Sequence, residues 1–164
     1  MMNKNKTTIS QNLLNDIQTF SFNELDKVKL LDRKDTKFVF NQDQLPVILE
    51  KIRPFYKILE ISNDLVFNYD TTYFDTDDFL FYNQHHNEHR TRFKVRLRKY
   101  SSNSNLYFEI KIKNNKNRTI KKRLLVDEMN KGLGEKEKNL VSEIIDLPPN
   151  QLSPMLNIQF TRIT

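Results

Sequence analysis

The sequence predicts an α+β protein built on an antiparallel sheet, and three observations carry that prediction. In Arg90-Thr91-Arg92-Phe93-Lys94-Val95-Arg96-Leu97-Arg98 every second residue is a cation, and Phe93, Val95 and Leu97 stand between them. A period of two is that of a β-strand with one charged face and one core face. Leu106 to Lys113 and Arg118 to Val126 repeat the pattern after short polar connections, Ser101 to Asn105 and Asn114 to Asn117, which makes a three-strand meander. Helical spacing of apolar residues appears only outside that meander.

The elements follow in order. Met1 to Thr8 is polar, as a frayed terminus is. Ile9 to Phe20 carries Leu13, Leu14, Ile17 and Phe20 at the spacing of a short amphipathic helix. Phe22 to Asp26 reads as a second helix start or a turn, and Asp32 to Phe40, with Phe38, Val39 and Phe40, as a strand. The next helix runs from Asp43, an expected N-cap, to Ile52, with Pro46 in its first turn and Pro54 stopping it. Tyr56 to Ile61 and Asn68 to Phe74 read as strands. Asp75 to Asp78 is a turn or helix cap, and Asn83 to Glu88 a polar connection with no helix expected. After the meander come a helix over Glu135 to Ile145, a break at Pro148-Pro149 and a last strand over Met155 to Ile163. The division expected is an N-terminal extension over 1–19 and one domain over 20–164.

Composition excludes several functions. There is no cysteine, so disulfide frameworks and thiolate chemistry are out. With two glycines, Gly132 and Gly134, there is no glycine-rich phosphate loop. No apolar run nears the ~20 residues of a membrane span, and Met1 to Gln18 has no apolar core of a secretory signal. A cytoplasmic location is the default expectation. Asp75, Asp77 and Asp78 lack the later Gly and Glu of a calcium loop. His85, His86 and His89 have no carboxylates at zinc-ligand spacing.

Charge points to a partner. The net charge of +6 is unevenly spread: residues 89–123 hold thirteen of the 27 Lys and Arg, with Glu109 their only acid. Such a field is costly unless a ligand or counterions neutralise it. Lys94, Arg96 and Arg98 share a face, as do Glu109, Lys111 and Lys113, and Lys121 and Arg123. As the wet side of a sheet these faces should mix signs, because like charges opposite each other destabilise a sheet. Three consecutive, nearly all-cationic strands instead suggest a concave sheet or closed barrel gripping phosphate. Arg does so by bidentate hydrogen bonding and Lys as a point charge. Glu109, a lone acid, fits a salt bridge to Arg96 or Lys111 better than a metal site.

Several ordered motifs resemble the VTC-type polyphosphate polymerase domain. They are Leu31-Asp32-Arg33-Lys34-Asp35-Thr36-Lys37-Phe38, Tyr69-Asp70-Thr71-Thr72-Tyr73-Phe74-Asp75-Thr76 and Tyr82-Asn83-Gln84-His85-His86-Asn87. Arg92 to Tyr100, Phe108 to Lys113 and Arg118 to Arg123 complete the series. The family belongs to the triphosphate-tunnel, CYTH-like group. The resemblance implies an antiparallel β-barrel tunnel with flanking helices, a divalent Mn²⁺ or Mg²⁺, and transfer of the γ-phosphate of ATP to a growing polyphosphate chain. It implies ATP, triphosphate or polyphosphate as ligands.

Residue by residue, the resemblance implies Lys37 as the basic residue of the first tunnel strand, and Arg96 and Arg98 as the phosphate-holding pair. Lys111 matches the lysine of the returning strand, with Lys113 near a further position. Lys121 and Arg123 resemble the next basic pair, and Lys94 lies in the same row. Phe160-Thr161-Arg162 resembles a Tyr-x-Arg element, with Arg162 as ligand. The catalytic set implied is Lys37, Arg96, Arg98, Lys111 and Lys121; for metal only Asp35 and Glu109 are at hand. The family's further strands and metal-binding glutamate have no counterpart before Thr164. The expected barrel is therefore incomplete, open or closed by a partner, and poor at catalysis by itself. Two other functions fit the same residues. One is a non-catalytic polyanion-binding module. The other is a nucleic-acid binder stacking bases on Tyr73, Tyr82 and Tyr100.

Overall fold

Alternation becomes structure in the meander. The computed structural model describes residues 13–25, 36–100, 105–116, 118–127 and 132–164. Strands β4 (Arg92–Tyr100), β5 (Leu106–Lys113) and β6 (Thr119–Val126) pair antiparallel, with Arg96 opposite Glu109 and Glu109 opposite Arg123. In the second turn Asn114 Oδ1 accepts from the backbone N–H groups of Lys116 and Arg118, the short-range turn chemistry of an Asn side chain. The first connection, 101–104, lies outside the described residues.

Two more strands extend this sheet, β3 (Phe67–Asp75) and β7 (Ser153–Arg162), in the order β6-β5-β4-β3-β7. Side-chain hydrogen bonds step along β3 and β7 in opposite directions: Asn157 to Asp70 and Thr72, Gln159 to Asp70, Thr161 to Asn68. The sheet is open. Among the described residues β6 and β7 are its edges and it does not close into a barrel, which agrees with the expectation of an incomplete or open one.

Val95, Leu97, Phe108 and Ile110 project from the face opposite the cations. With Phe74, Phe81, Leu106, Val141, Ile145 and Leu152 they form one buried cluster. The helices α3 (Leu80–His86) and α4 (Glu135–Ile144) contribute Phe81 and Val141 to it. Each such fully buried side chain contributes roughly 1.5–3 kcal/mol.

The helix α3 corrects the expected polar connection at 83–88. Its sequence lacks apolar periodicity, and tertiary contacts supply what is missing. Asp75 Oδ1 accepts from the N–H groups of Thr76 and Phe81, and Oδ2 from that of Tyr82. One carboxylate thus satisfies donors at the start of the helix. Phe81 then packs on Phe93 with ring centroids 5.9 Å apart.

A second unit comprises the described residues up to Phe67 with Arg162–Thr164. It holds β1 (Thr19–Ser21), α1 (Phe22–Leu25), α2 (Leu45–Ile52) and β2 (Ile58–Glu60). Leu14, Ile17, Leu49 and Ile58 form its core. Three expectations fail here. Residues 13–17 form a turn that leads into β1, which pairs parallel with β2, where an amphipathic helix over 9–20 was expected; residues 9–12 lie outside the described residues. Residues 36–40 belong to no strand, and Phe38 and Val39 are exposed. The N-cap expected at Asp43 is not one either: Asn41 forms a capping box with Gln44 on the short 3-10 turn Gln42–Gln44, and α2 follows with Gln44 at its N-cap and no side-chain cap bond. No helix among the described residues is long and apolar enough to cross a membrane.

Candidate functional site

The register brings the alternating cations into rows. One row runs Arg123–Glu109–Arg96–Tyr73 across β6, β5, β4 and β3. The next runs Lys121–Lys111–Lys94, and the one beyond it Thr119–Lys113–Arg92. On the other side of the Arg96 row stand Leu125, Tyr107, Arg98 and Thr71.

The Arg96 row is neutralised from within. Arg96 Nε and one terminal guanidinium nitrogen donate to Glu109 Oε2 at 2.8 and 2.6 Å. Its other terminal nitrogen reaches the Tyr73 hydroxyl at 3.4 Å. Lys121 Nζ lies 2.5 Å from Glu109 Oε1. Glu109 is fully buried and Arg96 nearly so. Burial pushes the Glu109 carboxyl up, but the hydrogen bonds from Lys121 and Arg96 outweigh it and hold the group below the usual carboxylate range. Burial likewise opposes the Arg96 charge, and the bonds to Tyr73 and Glu109 overcome it, so the guanidinium is held charged more firmly than in water.

The lysine row is different. Lys94 faces Lys111 and Lys111 faces Lys121 directly, with Lys121 leaning to Glu109 in the adjacent row. Lys111 is half-buried. Burial first, and then the charge of Arg96, push its ammonium below the ordinary lysine range; Glu109 opposes this, and Lys121 and Arg98 add to it.

Aromatic rings gather on the far side of the Arg96 row. Arg98 Nε donates to Thr71 Oγ1 at 3.1 Å, and its guanidinium lies over Tyr69 at 5.3 Å and Phe160 at 5.7 Å. Tyr69 stacks on Phe160 at 4.9 Å. Arg123 lies over Tyr107 at 4.9 Å. Cation–π contacts fix both arginines laterally and leave guanidinium donors free of carboxylates. Tyr69, Thr71 and Tyr73 are the site residues that sequence reasoning missed as supports. Their signal was present as i, i+2 spacing on one strand face.

Among the expected ligands, the structure brings Lys94, Arg96, Arg98, Lys111, Lys113, Lys121 and Arg123 onto one face with Glu109. Lys37 lies exposed outside any strand, and Arg162 ends β7; both are counted with the other unit. Asp35 lies outside the described residues.

The described residues of the basic face do not suit a divalent cation. Glu109 is the only carboxylate among the face positions of β4, β5 and β6, and its two oxygens are taken by Arg96 and Lys121. Among the described residues no three His, Asp or Glu converge as metal ligands. What the face can do is hold oxyanions by positioned charge and N–H donors.

No curated protein and no solved structure matches the chain. A family model does, over residues 32–164, a span that includes the whole meander, both of its helices and the basic face just described. On that match the chain belongs to the VTC domain family.

Proposed function

We propose that the basic face of β4, β5 and β6 binds linear phosphate chains, triphosphate and inorganic polyphosphate. The family match points to a polyphosphate-related function. The observation that carries the reading is the row Lys94–Lys111–Lys121, three lysines directly opposite one another on adjacent strands. Two ammonium groups held about 5 Å apart repel by roughly 1–3 kcal/mol near a protein surface. A phosphate chain lying across the row turns that repulsion into attraction. Arg96, anchored by Glu109, presents a fixed edge, and Arg98, held by Thr71 and Tyr69, extends the face. Arg123 and Lys113 flank it.

Calorimetric titration with tripolyphosphate in the presence of a chelator tests this. Binding that weakens with salt, and that falls about tenfold in Lys111→Met and in Arg98→Ala, is the expected result. Lys122→Ala, on the opposite strand face, should change little. Absent binding, or binding unchanged in Lys111→Met, would overturn the reading.

A second reading, supported by the family match, is phosphoryl transfer from ATP. The bond between the β-bridging oxygen and the γ-phosphorus breaks. A terminal oxygen of the chain bonds to that phosphorus, and ADP leaves. The acceptor is itself the nucleophile, so no Ser or Cys is needed, and Arg and Lys would offset the charge on the transferring group. Because the described residues do not build a divalent site, no step is assigned to a metal. Polyphosphate formed from ATP and Mn²⁺, resolved on a gel, would support transfer; none formed would leave a binding protein.

A further inference from the structure

Near the end of the basic face, three buried side-chain polar atoms have no partner among the described residues: Gln84 Oε1, His85 Nε2 and Arg92 Nε. They belong to α3 and to the start of β4, which pack together. The loop between these elements is tied back to both. The His89 N–H donates to the Gln84 carbonyl at 2.9 Å, and Arg92 donates through a terminal nitrogen to the His89 carbonyl at 2.8 Å. Arg92 stands opposite Lys113, one row beyond Lys94–Lys111–Lys121. Unpaired buried polar atoms cost about 1–3 kcal/mol each, so these three need a reason.

Their chemistry is specific. The His85 ring is hydrogen-bonded to the backbone of Phe93, which commits its other nitrogen to donating. In the neutral ring Nε2 is then a bare acceptor, as is Gln84 Oε1, while Arg92 Nε–H is a bare donor. Burial first, then the charges of Lys94 and Arg92, push the His85 pKa down to about 4, with the Phe93 bond and Asp75 opposing. The groups facing His85 are thus Lys94 and Arg92 of β4 and Asp75 at the end of β3. A group that satisfies this set must accept from Arg92 and bring its own proton to His85. An interior phosphate of a chain carries no such proton. A terminal phosphate does: its last proton is weakly acidic, leaving near pH ~6 in a phosphate monoester and at higher pH on a highly charged chain.

Resting on the phosphate-chain reading, we propose that His85 and Arg92 form an end-group site that takes the terminal, singly protonated phosphate of a linear chain. One proton is shared between the phosphate oxygen and His85 Nε2, and Arg92 Nε–H donates to a second oxygen. Interior phosphates lie along the lysine row. The site thereby sets which part of a linear chain sits beside β4.

Linear tripolyphosphate and cyclic trimetaphosphate separate the two sites, since the ring has no terminal phosphate. In metal-free titrations the linear chain should lose affinity relative to the ring between pH 6 and about pH 10, the range over which its end groups give up their last protons. His85→Asn should weaken the linear chain by roughly tenfold at pH 6 and remove its extra pH dependence. The same variant should leave ring binding within about twofold. A ¹⁵N titration of the His85 ring should show its pKa rising on saturation with the linear chain. Equal response of both anions to pH and to His85→Asn, or an unmoved ring signal, would overturn the end-group site and leave those atoms to buried water. Failure of both anions to bind would instead overturn the phosphate-chain reading.

Discussion

Two adjacent rows of the same sheet face have opposite electrostatics. In the Arg96 row a buried carboxylate collects Arg96 and, from the neighbouring row, Lys121, while Arg123 lies over the Tyr107 ring. In the lysine row three like charges stand opposite one another, and the one relief is Lys121 leaning across to Glu109. Both rows come from the same alternation of side chains. The difference is one residue, Glu109 at a position where its neighbours on β5 carry Lys111 and Lys113. The face thus contains an internal ion pair and an unneutralised row side by side. In the proposed reading the first holds the geometry, and the second is left for the ligand.

The largest expected effect breaks the first row. Glu109→Gln should cost about 3–5 kcal/mol in urea unfolding, because it leaves Arg96 buried and uncompensated. Tripolyphosphate should restore part of that loss in the variant, by supplying the anion that Glu109 no longer is. Loss of under 1 kcal/mol would mean that the pair is not a structural anchor.

A smaller effect sharpens the second row. Lys111→Met should lower tripolyphosphate affinity and at the same time raise the stability of the unliganded protein by a few tenths of a kcal/mol, since like charges opposite each other destabilise a sheet. A ligand-binding row predicts these opposite signs; a lysine that serves only structure predicts a loss in both.

The pH dependences differ in the same way. The folded carboxyl of Glu109 titrates below its unfolded value, so its stabilisation is complete above about pH 4.5 and is lost as pH falls through the folded value. The Lys111 ammonium also titrates below its unfolded value, but for a base that means a penalty while it is charged. Stability should therefore rise as pH increases through the folded value toward 10.5. Subtracting the Lys111→Met curve isolates this rise. Saturating tripolyphosphate should move the Lys111 titration upward in an NMR experiment. A downward or absent shift would place the anion elsewhere.

How much of this was legible in the sequence depends on the range of the forces involved. The meander was legible because a period of two decides which side chains share a face before any contact forms. Glu109 paired with Arg96 was legible for the same reason, since the two lie on consecutive strands of a hairpin. Lys121 as its second partner was not, because its ammonium reaches diagonally into the neighbouring row, and only the register of β5 on β6 places it there. The α3 helix was hidden in Asn- and His-rich chain, and it exists because the Asp75 carboxylate caps it and Phe81 finds Phe93. The strand expected over 32–40 rested on apolar residues whose described side chains find no core.

By itself the sequence determined the alternating strands, the one-sided distribution of charge and the identity of the cations that share a face. Those are local properties, set by side-chain period and composition. Tertiary structure alone decided that Glu109 serves two rows at once and that His85 and Arg92 keep buried polar atoms unpaired, among the described residues, beside the basic face. Each of these depends on burial and register between elements distant in the chain, and neither is set until the core has closed.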